Sequence, residues 1–183
     1  MKAPWENLHV ALGIGLVLAL IVFILAGHYN DLDDLMFWSF FFRWLHIFFG
    51  VLWIGLLYYF NFVQIPSMPK IPDDQKPAIS KVIAPAALFF FRWAAAFTVL
   101  FGLIVMLINK SWGPWGITLG MLLGLIMAFN VWFIIWPNQQ KVLGLVEADA
   151  DTKKKAARMA MLTSRFNTML SIPMLYGMAS VHV

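Results

Sequence analysis

The sequence predicts an all-α protein, an integral membrane bundle of about five transmembrane helices with a cytoplasmic N-terminus and a periplasmic C-terminus. Three observations predict it. The 183 residues are 62% hydrophobic and 12% charged, with a mean hydropathy of +0.79, which is more apolar surface than a soluble domain of this length can bury. The apolar residues gather into runs that can cross a hydrocarbon core of roughly 30 Å, a distance that takes about 20 helical residues. Lys and Arg gather in alternate connections, as retention of positive charge on the cytoplasmic side requires.

The first run covers residues 8–27. It is too long for the apolar core of a signal peptide, and no A-x-A site follows it cleanly, so it reads as a membrane helix. The second covers 35–65, long enough to tilt or to project, the third 86–108 and the fourth 115–136. The fifth, 157–181, is the least apolar. Lys2 precedes the first helix, Lys70, Lys76 and Lys81 follow the second, and Lys141, Lys153, Lys154, Lys155 and Arg158 precede the fifth. The opposite side has Lys110 beside the acidic turn Asp31, Asp33 and Asp34. That asymmetry sets the orientation, and a bacterial inner membrane is the expected location.

The connection from Pro66 to Pro85 reads as a surface loop with room for one short amphipathic helix. Residues 138–155 form a second cytoplasmic connection, with Asp149 or Asp151 capping the last helix. No internal repeat stands out, so residues 1–183 form a single transmembrane domain. With no cysteine, disulfides, thiolate catalysis, iron–sulfur ligation and covalent c-type haem attachment are excluded. The net charge of +4 lies in the connections, where topology explains it, so nucleic acid is not expected as a partner.

Ionisable groups inside a span are expensive and therefore functional candidates. Arg43 and His46 fall in the second helix, Arg92 in the third, and Arg165 with Asn167 in the fifth; Asn61 and Asn130 add uncharged polar groups. Together they predict a packed polar interior. Arg43, His46, Gly50 and Trp53 recur every three to four residues and so share a helix face. The pattern suits a flat ligand: an imidazole for iron, a glycine for close approach, an indole for stacking, and an arginine where porphyrin carboxylates would emerge. The bland alternative is an imidazole that hydrogen-bonds a neighbouring helix, with Gly and Trp as ordinary packing residues.

The second iron ligand would be His182 or His28. His46 lies roughly 10 Å inside the outer end of its helix by helical rise, whereas His182 is next to the last residue, a mismatch of depth that keeps His28 in reserve. Eleven methionines raise copper as the lesser alternative, since thioether sulfur favours Cu(I), but they do not converge on the histidines. Gly120 and Gly124 read as a close-packing pair.

The segment Arg43-Trp44-Leu45-His46 through Trp53-Ile54-Gly55 and Tyr58-Tyr59-Phe60 resembles the second-helix signature of the membrane domain of the bacterial urate hydroxylase (PuuD-type, urate oxidase N-terminal) family. Three further segments agree in the same order: Phe91-Arg92-Trp93, then Asn130-Val131-Trp132 with Pro137-Asn138-Gln139, then Ser164-Arg165-Phe166-Asn167 leading through Pro173 to Ser180-Val181-His182. Leu45-His46 with Trp53-Ile54-Gly55 is also similar to copper-resistance D-type and HemJ-type membrane proteins, the latter associated with haem. The resemblance implies haem b and electron transfer out of the membrane module, which in that family passes to a fused cytochrome c domain. No C-x-x-C-H occurs here, so a separate cytochrome c or a neighbouring redox subunit is the expected acceptor. Ala94 stands where the family pattern has an acid and Phe166 where it has a histidine, and both changes count against urate oxidation itself.

Two functions follow as expectations. The first is a b-type haem electron-transfer subunit with His46 as a ligand, Arg43 at the propionates, and Gly50, Trp53 and Arg165 around the cofactor. The second is a cofactor-free accessory subunit of a respiratory or photosynthetic complex. An independent enzyme is less expected, because no paired carboxylates, nucleophile with adjacent base or phosphate-binding glycine loop stands out.

Overall fold

The protein's structure, a computed structural model, describes residues 3–110 and 112–180. Among them it is all-helical, with no strand. Five long helices make the architecture: α1 (Leu8–Leu25), α2 (Leu35–Lys70), α3 (Lys76–Asn109), α4 (Trp115–Leu143) and α5 (Ala150–Ala179). The first four are long and apolar enough to cross a membrane, and the chain is a multi-pass membrane protein. Helices suit this setting because every backbone N–H and C=O finds its partner within the segment. The 30 residues of α5 span roughly 45 Å by helical rise, although its first turns carry Lys153, Lys154, Lys155 and Arg158.

The helices run beyond their apolar cores. The backbone ladder depends little on side-chain hydropathy, so α2 continues through Pro66 to Lys70 and α3 begins at Lys76. The expected loop from 66 to 85 shrinks to residues 71–75. Proline removes an N–H and its ring crowds the carbonyl four residues earlier. At Pro66, Pro85 and Pro137 that earlier residue lies in a wider π-helical turn: Tyr59–Gln64, Ile79–Ile83 and Asn130–Ile135. The wider turn lets the helix pass each proline without ending. Pro173, by contrast, sits within the uninterrupted α-helix of α5.

The helix ends use ordinary caps. Gly144, at φ 77°, stops α4 in the left-handed region, where glycine carries no steric penalty. Asp149, not Asp151, caps α5: one carboxylate oxygen accepts from the Thr152 N–H at 2.8 Å and the other from the Thr152 hydroxyl at 2.8 Å. These bonds to the charged form hold the Asp149 carboxyl below its ordinary value of 3.8.

The chain divides into two compact units, Met1–Phe41 and Phe42–Val183. In the first, α1 buries no residue, and His28 sits among aromatic rings, 6.1 Å from Phe23, 5.9 Å from Phe37 and 5.2 Å from Phe40 between centroids. In the second, the remainder of α2 packs with α3, α4 and α5. Its core joins Trp53, Leu57 and Phe60 of α2, Leu88, Phe91, Ala94 and Ala95 of α3, Met127 and Val131 of α4, and Ala160 and Met174 of α5. Apart from Met174, the buried stripe of α5 is small or polar, comprising Ala156, Ala160, Ser164, Asn167, Ser171 and Gly177. Small residues let helix backbones approach closely where lipid offers no hydrophobic drive for association.

The closest approach is at one end of α4 and α5. A Cβ on Gly177 would lie in contact with the Gly116 carbonyl oxygen and 3.2 Å from the Gly120 Cα, while one on Gly120 would lie 3.1 Å from the Met174 carbonyl oxygen. The expected packing role of Gly120 therefore holds, with Gly177 as its partner, whereas Gly124 has only the Met174 side chain at 4.0 Å. Gly177→Ala should destabilise the bundle by about 1–3 kcal/mol, read as a lower thermal midpoint in detergent. Gly55→Ala, which meets nothing within 4 Å, should leave the midpoint in place.

The α5 cap has its own pH signature. Because the folded Asp149 value is depressed, its stabilisation is present above the ordinary aspartate value and lost as pH falls through the folded one. The Thr152 amide resonance should move between about pH 5 and pH 2 in the wild type, whereas Asp149→Ala should show no such titration and a frayed first turn.

Candidate functional site

His46 points from α2 toward α3, and its Nδ1 lies 2.7 Å from the carbonyl oxygen of Thr98. A carbonyl only accepts, so Nδ1 carries the proton and donates it. In the neutral ring Nε2 then bears the lone pair. Thr98 can offer this oxygen because of Gly102. A helical carbonyl points toward the residue four positions on, and at position 102 there is no side chain to cover it. A Cβ there would lie 2.9 Å from both Cε1 and Nδ1 of His46. The threonine itself is held by its hydroxyl, which donates to the Ala94 carbonyl at 2.7 Å.

Gly50 faces the same part of α3, since a Cβ on it would meet the Thr98 methyl group at 3.7 Å. Trp53 lies in the interior of the bundle. It is 2% exposed and belongs to the bundle core, and its indole Nε1 is buried without a hydrogen-bond partner. Arg43 and Arg165 are exposed side chains on α2 and α5. His28 belongs to the N-terminal unit, and His182 lies outside the described residues. Of the expected site residues, α2 and α3 thus bring together His46 and Gly50.

Beside this lies an apolar groove of about 400 Å³ between α2 and α3, lined by Phe49, Leu52, Phe89, Phe90, Trp93, Ala94 and Phe97. It begins one turn along α2 from His46. The Phe49 ring is 5.0 Å from Phe97 and 5.6 Å from Phe101 between centroids. Ala94 contributes to this apolar wall.

A second set of polar groups ties α2 and α4 to α5. Asn61, in the π turn of α2, donates to the Leu57 carbonyl at 2.9 Å and to the Ser164 hydroxyl at 2.8 Å. Asn130, in the π turn of α4, donates to the Asn167 side-chain oxygen at 2.8 Å. Asn167 in turn donates to the Met127 carbonyl at 3.0 Å. Tyr58 and Ser171 are joined at 2.9 Å. The expected polar interior is therefore real, but its members are amides and hydroxyls. Phe166 and Arg165, neighbours of Asn167, both point outward.

Arg92 completes the picture. Its guanidinium stacks on Trp136, with Cζ 3.1 Å from the ring centroid, and lies 6.0 Å from Trp132. Its Nε and Nη1 are buried without hydrogen-bond partners. The sequence marked Arg92 as an intramembrane cation but assigned it no ligand. Gly102 went unnoticed, because a glycine in an apolar helix gains meaning only from what crosses it.

Residues 113–183 match the family model described as Urate oxidase N-terminal. This fits the resemblance read from the sequence. The match takes in α4 and α5 and thereby the Asn130–Asn167 pair, whereas His46, Thr98 and Gly102 lie outside it. No curated protein and no solved structure matches the chain. Within the urate oxidase N-terminal match, the buried amide bridge ties α4 to α5. Replacing Asn167 by Leu should cost about 1–2 kcal/mol, since Asn130 and the Met127 carbonyl lose a partner, and Asn130→Leu in the same chain should add little further loss. A thermal-unfolding double-mutant cycle checks this.

Proposed function

We propose that the protein is a membrane-embedded b-type haem subunit of a bacterial inner membrane, with its N-terminus cytoplasmic, passing electrons to a cytochrome c or a neighbouring redox subunit. The observation that carries the reading is the 2.7 Å bond from His46 Nδ1 to the Thr98 carbonyl. Metal-bound histidines characteristically donate their other ring N–H to a carbonyl or carboxylate, which sets the tautomer and the ring plane. Here Nε2 is the nitrogen left for iron. Gly102 and Thr98 orient the imidazole, and the groove at Phe49 and Phe97 gives an aromatic wall one turn away. Arg43, one turn from His46, is suited to the propionates. A bound haem b would supply one-electron chemistry. His182 is the candidate for a second ligand.

A second reading has a specific observation in its favour. The His46 ring fills the notch at Gly102 so closely that a Cβ would be 2.9 Å away, which is also how a histidine stapling two helices would look. In that case the protein is a cofactor-free accessory subunit of a larger complex.

A reduced-minus-oxidised spectrum with pyridine haemochrome analysis, on full-length protein expressed with ample haem, separates the two. The haem reading expects a Soret band and about one haem b per chain, both lost in His46→Ala. Purified, folded wild-type protein with no reducible Soret band would reject it and leave the accessory role.

A further inference from the structure

Among the described residues, the guanidinium of Arg92 forms no ion pair, and its Nε and Nη1 are buried without a hydrogen-bond partner. All nine acidic residues lie in the connections, the N-terminal segment or the first turn of α5, at Glu6, Asp31, Asp33, Asp34, Asp73, Asp74, Glu147, Asp149 and Asp151. None lies in α1, α2, α3 or α4. Arg92 lies on α3 within the apolar run 86–108, roughly 9 Å by helical rise from its inner end. An unpaired charge at such depth is expensive, and arginines within spans ordinarily pair with a carboxylate or with backbone carbonyls. Here Nε and Nη1 have neither.

What covers the guanidinium is an indole. Trp136 lies 3.1 Å from Cζ, a contact that excludes water from the buried nitrogens but accepts none of their hydrogens in the guanidinium plane. Trp136 directly follows the π turn Asn130–Ile135 and precedes Pro137. The regular backbone ladder is interrupted directly before the indole, where the helix widens. Trp132, from the same turn, supplies a second flat wall, 6.0 Å from Cζ and 5.6 Å from Trp93 between ring centroids.

We propose that Arg92 is the anchor of an anion site between α3 and α4 that takes a monoanionic carboxylate, with Trp136 as the side chain that closes over the cation and gives way to the ligand. One carboxylate balances the one charge, and its two oxygens match the planar donors of a guanidinium edge-on. The indole walls favour a carboxylate on a small apolar body over a hydrated inorganic anion. The site goes beyond the haem proposal and is independent of it.

The test uses full-length protein in detergent, with and without haem supplied. Tryptophan fluorescence and the thermal midpoint are followed during titration with sodium hexanoate or sodium acetate, against sodium chloride and sodium phosphate at equal ionic strength. The site predicts a saturable response to the carboxylates, stronger for hexanoate, and at least about tenfold weaker in Arg92→Gln. Arg92→Lys, which keeps the charge but loses the planar donors, serves if the glutamine variant does not fold and should also weaken binding. Trp136→Phe should keep the thermal response while losing most of the fluorescence change, and Arg158→Gln, an exposed cation on α5, should behave as wild type. Equal curves for chloride and hexanoate, or an undiminished response in the folded Arg92 variants, would overturn the site. A midpoint that responds to no anion would do the same, and would point to a carboxylate from a partner chain.

Discussion

In a bundle whose surroundings are hydrocarbon, a polar group inside has only the protein to offer it a partner. That single constraint organises the molecule. Burial of apolar surface does little to hold such helices together, because lipid is as apolar as leucine. What distinguishes one arrangement from another is which backbones approach closely and which polar groups meet. The α4–α5 pair is set by Gly116, Gly120 and Gly177 at one end and by the Asn130–Asn167 bridge further along. The α2–α5 pair is set by Asn61 with Ser164 and Tyr58 with Ser171. The α2–α3 pair is tied by His46, which meets the Thr98 carbonyl.

The prolines and the amides belong to the same device. A π turn frees a carbonyl and widens the helix, and in α2 and α4 the residue that exploits it is an asparagine. Asn61 returns one of its amide hydrogens to the Leu57 carbonyl of its own helix and spends the other on Ser164. Asn130 uses its amide to reach Asn167. Proline, which would ordinarily break a helix, here accompanies the turns that carry cross-links. Trp136, which directly follows the interruption in α4, lies over Arg92, so a cation with buried, unpartnered nitrogens faces a locally irregular backbone.

Much of the fold was legible in the sequence because membrane insertion depends on quantities that are additive along the chain. Run length, hydropathy and the placement of lysine located the long helices, although not their ends, since helical bonds continue past the apolar window through Pro66 and Pro137. His46 and Gly50 stood out through spacing and do meet α3 together. Trp53 shared that spacing and yet belongs to the core. A period of three to four residues places side chains on one side of a helix, while the side as a whole spans two neighbours. Arg165 and Asn167 looked like a pair, but two positions apart on a helix they point in different directions, and Asn167 alone is buried.

The sequence by itself determined that this chain is helical, apolar and threaded repeatedly through a membrane, with few polar groups in its spans and no acid in any of the first four. Those properties are sums over local residues. Only the tertiary structure decided which carbonyl His46 would find, that Gly102 had to be bare for it to be found, that Asn167 would serve two groups on α4, and that Arg92 would lie under an indole. Each depends on the crossing of two helices distant in the chain, and a crossing is set by the mutual fit of two surfaces, which neither helix encodes alone.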